Sequence, residues 1–224
     1  MKGLFLKDIY ALMSLYKKNL PTVFIVYFIL AFAMELPFFF YMVIWLMGFY
    51  SLSAIGLDQS CGWDRYARTL PVSDKQIVGG KFLVGLAFMG VGTLYSLAGG
   101  TLAILVKGGE AWEGFFEVNL VMIAFSLISV GTMIPAAYKW GLEKARNSFF
   151  LVYAAVFAGG IFLLTGDGHF LKKYLPGGAE AVLAALNGLF ENIALLAAVS
   201  LAVSGAVYAL GWKLAENIYA KKEF

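Results

Sequence analysis

The sequence predicts an all-α, polytopic membrane protein. It is expected to have six transmembrane helices, an N-terminal amphipathic helix at the membrane surface, and a short helix on the same side between spans two and three. Of 224 residues, 61% are hydrophobic and 14% charged, against about 25% charged and 45–50% apolar in soluble domains. Six stretches are apolar over lengths near the ~20 residues that cross a ~30 Å hydrocarbon core. Most of the 17 Lys and Arg residues gather in segments that alternate crossings would place on one side. The whole chain, 1–224, reads as one transmembrane domain.

The opening "MKGLFLKDIYALMSLYKKNL" has neither an unbroken apolar core nor a small-residue cleavage site, so it is expected to stay on the mature protein. Leu4/Phe5, Ile9, Leu12 and Tyr16 recur at helical spacing, with Lys2, Lys7, Asp8 and Lys17/Lys18 mostly elsewhere around the wheel. Such a basic amphipathic stretch is expected to lie along the inner membrane surface, as an anchor or as a lever on the first span. The spans are expected at about 20–34, 37–57, 82–106, 115–138, 148–165 and 193–212. Pro37 suits the first turn of a helix, where its missing N–H is no loss, so spans one and two should form a tight hairpin at Glu35. Basic residues outnumber acidic ones in the N-terminal segment, Asp58–Lys81, Lys139–Asn147 and the tail. The opposite side holds only Lys107, Lys172 and Lys173. The positive-inside rule then places both termini in the cytoplasm.

The longest inward connection is "DQSCGWDRYARTLPVSDKQIVGGKF". Trp63, Tyr66, Ala67 and Leu70 fall on one helical face, with Asp64, Arg65 and Arg68 on the other. Pro71 ends that helix, because the residue before a proline is pushed out of helical geometry. "VSDKQI" then supplies start signals for the next helix. Ser73 and Gln76 form a capping box, Val72 and Ile77 a hydrophobic staple, and Asp74 places a negative charge in the first turn. The Trp63/Tyr66 face either rests on the membrane interface, where such residues form belts, or enters a cleft on another protein, where Trp, Tyr and Arg dominate binding energy.

With its six-span layout, "MKGLFLKDIY" and "LDQS…GWDRYARTLPVSDKQIVGGKF", the chain resembles the bacterial ABC-2 family of transporter permeases. Asp58, Trp63, Tyr66, Leu70, Pro71, Val72, Ser73, Ile77, Val78 and Lys81 match the pattern of that family's inward loop. Gln59 replaces the usual second acid, and Asp74 the usual base after the serine. Among small permeases of the family the chain is similar to those of peptide-toxin exporters. The resemblance implies that the stretch is a coupling helix seated in a separate ATPase subunit, with Asp58, Trp63, Arg65, Tyr66, Arg68, Leu70, Pro71 and Ser73 at the interface. It further implies a bacterial plasma-membrane location, pairing with a second permease copy, and ATP and Mg held by the partner. No cofactor is expected on this chain and no nucleic-acid partner; lipids surround it.

No G-x-x-x-x-G-K-[ST] phosphate loop occurs, so the chain is not expected to bind ATP by that route or to be an enzyme. The lone Cys61 excludes a disulfide framework. His169, the single histidine, offers no zinc cluster. No charge falls near the middle of a predicted span, which argues against ion-coupled transport. Phe28, Phe39, Tyr41 and Trp45 in spans one and two are either packing residues or the lining of a path for hydrophobic or amphipathic cargo. In span six, Ala198, Ala202 and Ala206 allow close helix approach. In the outward Gly166–Asn192 piece the amphipathic stretch "AEAVLAALNGLFEN", about 14 residues long, is too short to cross, and the piece is expected to act as a lid. The expected function is the membrane subunit of an ATP-driven exporter. The alternative is a membrane immunity or assembly protein that binds a partner without moving cargo.

Overall fold

The computed structural model describes residues 2–108, 112, 114–165 and 193–222, and all regular structure among them is helical. Helix α1 spans Lys2–Tyr16. Its stripe of Leu4, Phe5, Ile9, Leu12 and Tyr16 packs onto the bundle, with Leu12 fully buried and the other four half-buried. Asp8 is buried on that inner side as well, contrary to its expected place among the outward polar residues. Leu6, Tyr10, Met13 and Leu15 remain exposed.

Helix α2 (Asn19–Met34) departs from α1 at 66°. Its 16 residues rise about 24 Å, less than the ~30 Å hydrocarbon core. Glu35 adopts a left-handed conformation (φ 55°), and Pro37 is already helical ahead of α3 (Phe38–Cys61), which gives the expected hairpin. Ring contacts Tyr27–Phe39 (6.0 Å) and Phe28–Phe40 (5.9 Å) close it. Helix α3 runs past the expected end at 57, so Asp58 and Gln59 belong to the helix rather than to a loop.

Gly62 (φ 68°) turns the chain, because its positive φ carries no Cβ penalty. Helix α4 follows at Trp63–Ala67, shorter than the expected 63–70. The N–H groups of Thr69 and Leu70 bond to the carbonyls of Tyr66 and Ala67, three residues back, a tighter turn that closes before Pro71. Helix α5 (Asp74–Lys107) starts directly after Ser73, as the start signals predict, and runs through Lys75 and Lys81 into the span expected from 82. Its 34 residues rise about 51 Å. Helices α6 (Phe115–Trp140) and α7 (Leu142–Thr165) are parted by Gly141 alone (φ 86°), so the expected 139–147 connection is helical on both sides of one residue. Helix α8 covers Ile193–Lys221.

Among the described residues, α3, α5, α6 and α8 are long and apolar enough to cross a membrane. The bent pair α1–α2 makes a fifth candidate. The fifth expected span, 148–165, lies within α7. Gly166–Asn192, with His169, Lys172, Lys173 and the expected lid, lies outside the described residues, as does most of the 109–113 connection.

Helices α6 and α8 meet backbone to backbone. A Cβ added at Gly211 of α8 would stand 2.1 Å from the carbonyl oxygen of Gly131 in α6. The outer side of α8, with Val199, Val203, Leu210 and Leu214, is exposed, and Ala198, Ala202 and Ala206 lie on that exposed side rather than in the α6 contact. At one end of the bundle Lys107 bonds Glu35 (2.8 Å) and the Phe32 carbonyl. At the other end the four basic segments meet.

Gly211→Ala is expected to lower the melting temperature of the detergent-purified protein, with a loss of about 1–3 kcal/mol from overpacking. Gly205→Ala, which faces open space on the same helix, should be neutral or stabilising, because alanine is the better helix former.

Candidate functional site

The meeting point of the basic segments is built around Lys81. Lys81 is the eighth residue of α5, only 4% exposed, next to α1 and the end of α3. Its ammonium has three N–H donors and three acceptors: Asp8 Oδ1 at 2.8 Å, Asp58 Oδ2 at 2.5 Å and the Ala54 carbonyl at 3.4 Å. Lys7 closes the figure from the outside, 2.8 Å from Asp58 Oδ1 and 3.0 Å from Asp8 Oδ1. The four side chains form a ring of alternating charge with no net charge. Partial burial pulls the Lys7 ammonium toward neutrality, but its bond to Asp58 and the charges of Asp8 and Asp58 outweigh this and raise its pKa. The ring fastens α1 to α3 and α5.

Beside it, Gln59 bridges α3 to the α6–α7 junction. Its Nε2 donates to the Ala137 carbonyl (3.0 Å) and its Oε1 accepts from the Leu142 N–H (3.2 Å). A carboxylate could accept from Leu142 but could not donate to Ala137, which gives the amide at this position a physical reason.

Helix α4 hangs from this corner. Its inner side consists of Asp64 and Ala67, both buried. This corrects the expected place of Asp64, which was the outward polar face. Tyr219 near the end of α8 donates its hydroxyl to Asp64 Oδ1 (3.2 Å). Arg68 Nη2 donates to the carbonyls of Tyr219 (3.1 Å) and Lys222 (3.0 Å), a cation on the C-terminal carbonyls where the helix dipole favours it. Burial, followed by the charge of Asp58, lifts the Asp64 carboxyl above the usual carboxylate range, against the Tyr219 bond and the lysines. Trp63 is half-buried, with the Lys7 ammonium 4.1 Å from its ring centroid and the Tyr66 ring at 5.3 Å.

The expected interface residues therefore separate into two groups. Arg65, Tyr66 (56% exposed) and Pro71 stand outward. Asp58 is enclosed in the charge ring, Arg68 is committed to the end of α8, and Leu70 is half-buried. Ser73 is occupied by its capping box: Gln76 N–H donates to Ser73 Oγ (3.3 Å), and Ser73 N–H to Gln76 Oε1 (3.2 Å). Val72 and Ile77 share one core cluster, as the staple requires. Next to α4 an open groove of about 670 Å³ is lined by Lys7, Ala11, Ser14, Leu57, Cys61 and Trp63. Among the described residues no group of three His, Cys, Asp or Glu side chains is placed to hold a metal ion.

The expected cargo residues fall in two places. Phe28, Phe39 and Tyr41 belong to an aromatic cluster with Phe40, Trp112 and Phe115. Trp45 packs apart from them, against Phe49, Phe125 and Phe150.

Sequence reasoning missed Asp8, Lys7, Gln59 and Tyr219 as members of the site. For Asp8 the signal was present: it stands four residues from both Leu4 and Leu12, within the apolar stripe. No local pattern announces Tyr219 or Gln59, whose partners lie 155 and 78 residues away.

Lys81→Met leaves two carboxylates facing one lysine and should destabilise the protein by about 3–5 kcal/mol. Adding Asp8→Asn restores neutrality and should recover part of the loss, read as a coupling energy in thermal melts. Asp64 has a raised pKa in the folded state, so its contribution to stability is present at acidic pH and lost as pH rises through that value. Asp64→Asn should match the native chain at acidic pH, gain in melting temperature over it as pH rises from the ordinary carboxylate value through the raised one, and keep a constant advantage above that.

The model of a family described as ABC-2 family transporter protein matches residues 3–219 of the chain. No curated protein matches it.

Proposed function

The chain belongs to the ABC-2 transporter family, a family whose permeases work with an ATPase partner, and on that premise we propose that α4 is the handle by which an ATP-binding-cassette ATPase drives this permease. The charged corner then faces the cytoplasm, ATP is bound and hydrolysed on the partner, and this chain does no covalent chemistry. The permease works with a second copy and moves a hydrophobic or amphipathic cargo outward.

The observation that carries the reading is the two-sided character of α4. Its outer side presents Arg65 and Tyr66, residue types that anchor protein interfaces. Its inner side is tied to α8 through Asp64 and Arg68, and its first residue, Trp63, lies under the Lys7 ammonium of the charge ring. A load on the outer side passes within one or two contacts to α1, α3, α5 and α8. A segment that only rested among lipid headgroups would need no such anchorage. The groove between α1 and α4 gives a partner room beside the handle.

In native membranes, affinity-tagged permease should retain its ATPase, and Tyr66→Asp or Arg65→Glu should reduce ATPase recovery about tenfold or more, as for interface hot spots. Both positions are exposed, so melting temperature should hold. Undiminished ATPase recovery in both variants removes α4 from the interface.

A further inference from the structure

A second cavity lies on the far side of α1 from the groove. It occupies about 450 Å³ in the angle between α1 and α2, closed behind by α3 and α5. Met13, Leu20, Phe24, Met47, Phe88 and Val91 are among its walls, and Lys17 is the single charged residue that lines it. Small-molecule sites span about 300–1,000 Å³, so the space is large enough for a ligand. Its walls offer almost no polar group, so whatever lies inside must be hydrocarbon. At its mouth Lys17, followed by Lys18, is exposed at the break where the chain turns 66° from α1 into α2.

The geometry points to a site for one acyl chain of an anionic phospholipid, with the chain in the cavity and the phosphate at Lys17 and Lys18. Charge selects this occupant, because two adjacent lysines at the rim of an apolar cavity complement a ligand that joins a long hydrocarbon to a negative head. Shape selects it as well. A helix 10–12 Å across would fill the space within about one turn, whereas a flexible chain can follow the angle between α1 and α2. The bound lipid would replace missing protein packing beneath the elbow and so help hold α1 at its angle. This inference needs only a membrane around the chain and stands apart from ATPase docking.

The test uses the full chain purified in detergent and titrated with phosphatidylglycerol or phosphatidylcholine of matched chains, with bound lipid counted by native mass spectrometry. One phosphatidylglycerol per chain should be retained in preference to phosphatidylcholine. Lys17→Ser and Lys18→Ser should each reduce that preference about fivefold, as expected for a basic residue near an anionic headgroup. Ala87→Trp, at a lining position of α5, should abolish the retained lipid, while Val203→Trp on the exposed side of α8 should not. Val91→Trp, also on the wall but exposed, replaces Ala87→Trp if that variant does not fold. Equal retention of the two lipids by the native chain, or full retention after the cavity is filled, would overturn the proposal. A co-purifying peptide in place of lipid would do so too.

Discussion

Four charges closed into a neutral ring are the constraint from which the corner of this protein follows. Removing carboxylates and ammonium groups from water costs several kcal/mol each, and mutual attraction offsets this only when every donor and acceptor is placed. Lys81 meets that condition with three acceptors from two other helices. The requirement runs in both directions. It holds α1 against the bundle, keeps α3 helical through Asp58, and sets the depth at which α5 enters. Small adjustments of one helix would strand a charge, so the three must keep their register together. An apolar contact of similar size would tolerate sliding.

Much of this was legible in the residues, and what was not has a physical cause. Capping box and staple are local patterns, and Ser73, Gln76, Val72 and Ile77 behave as their spacing demands. Hydropathy located the apolar cores of the helices but not their ends, since α3 and α5 extend polar turns beyond the greasy stretch by pairing charges across the chain. Composition leaves Asp58 outside the second span because a lone carboxylate is unfavourable in an apolar setting; only its partners make it admissible. Asp64 was misplaced for the same reason, because a wheel drawn for α4 cannot include Tyr219. The α6–α7 junction was expected to be longer because its charges read as a loop, whereas Gly141 makes the turn alone.

The two ends of the bundle are held differently. Glu35 and Lys107 form an exposed pair of the kind that contributes little in water, reinforced by the Phe32 carbonyl. The charged corner is buried, closed and cross-braced by Gln59 and Arg68.

Cys61 is the only thiol in the chain. It is exposed in the last turn of α3, directly before the Gly62 corner. A nitroxide or fluorophore can therefore be attached there without first removing competing sulfhydryls. In a two-copy assembly such probes would report the separation of the paired corners by a single distance during turnover.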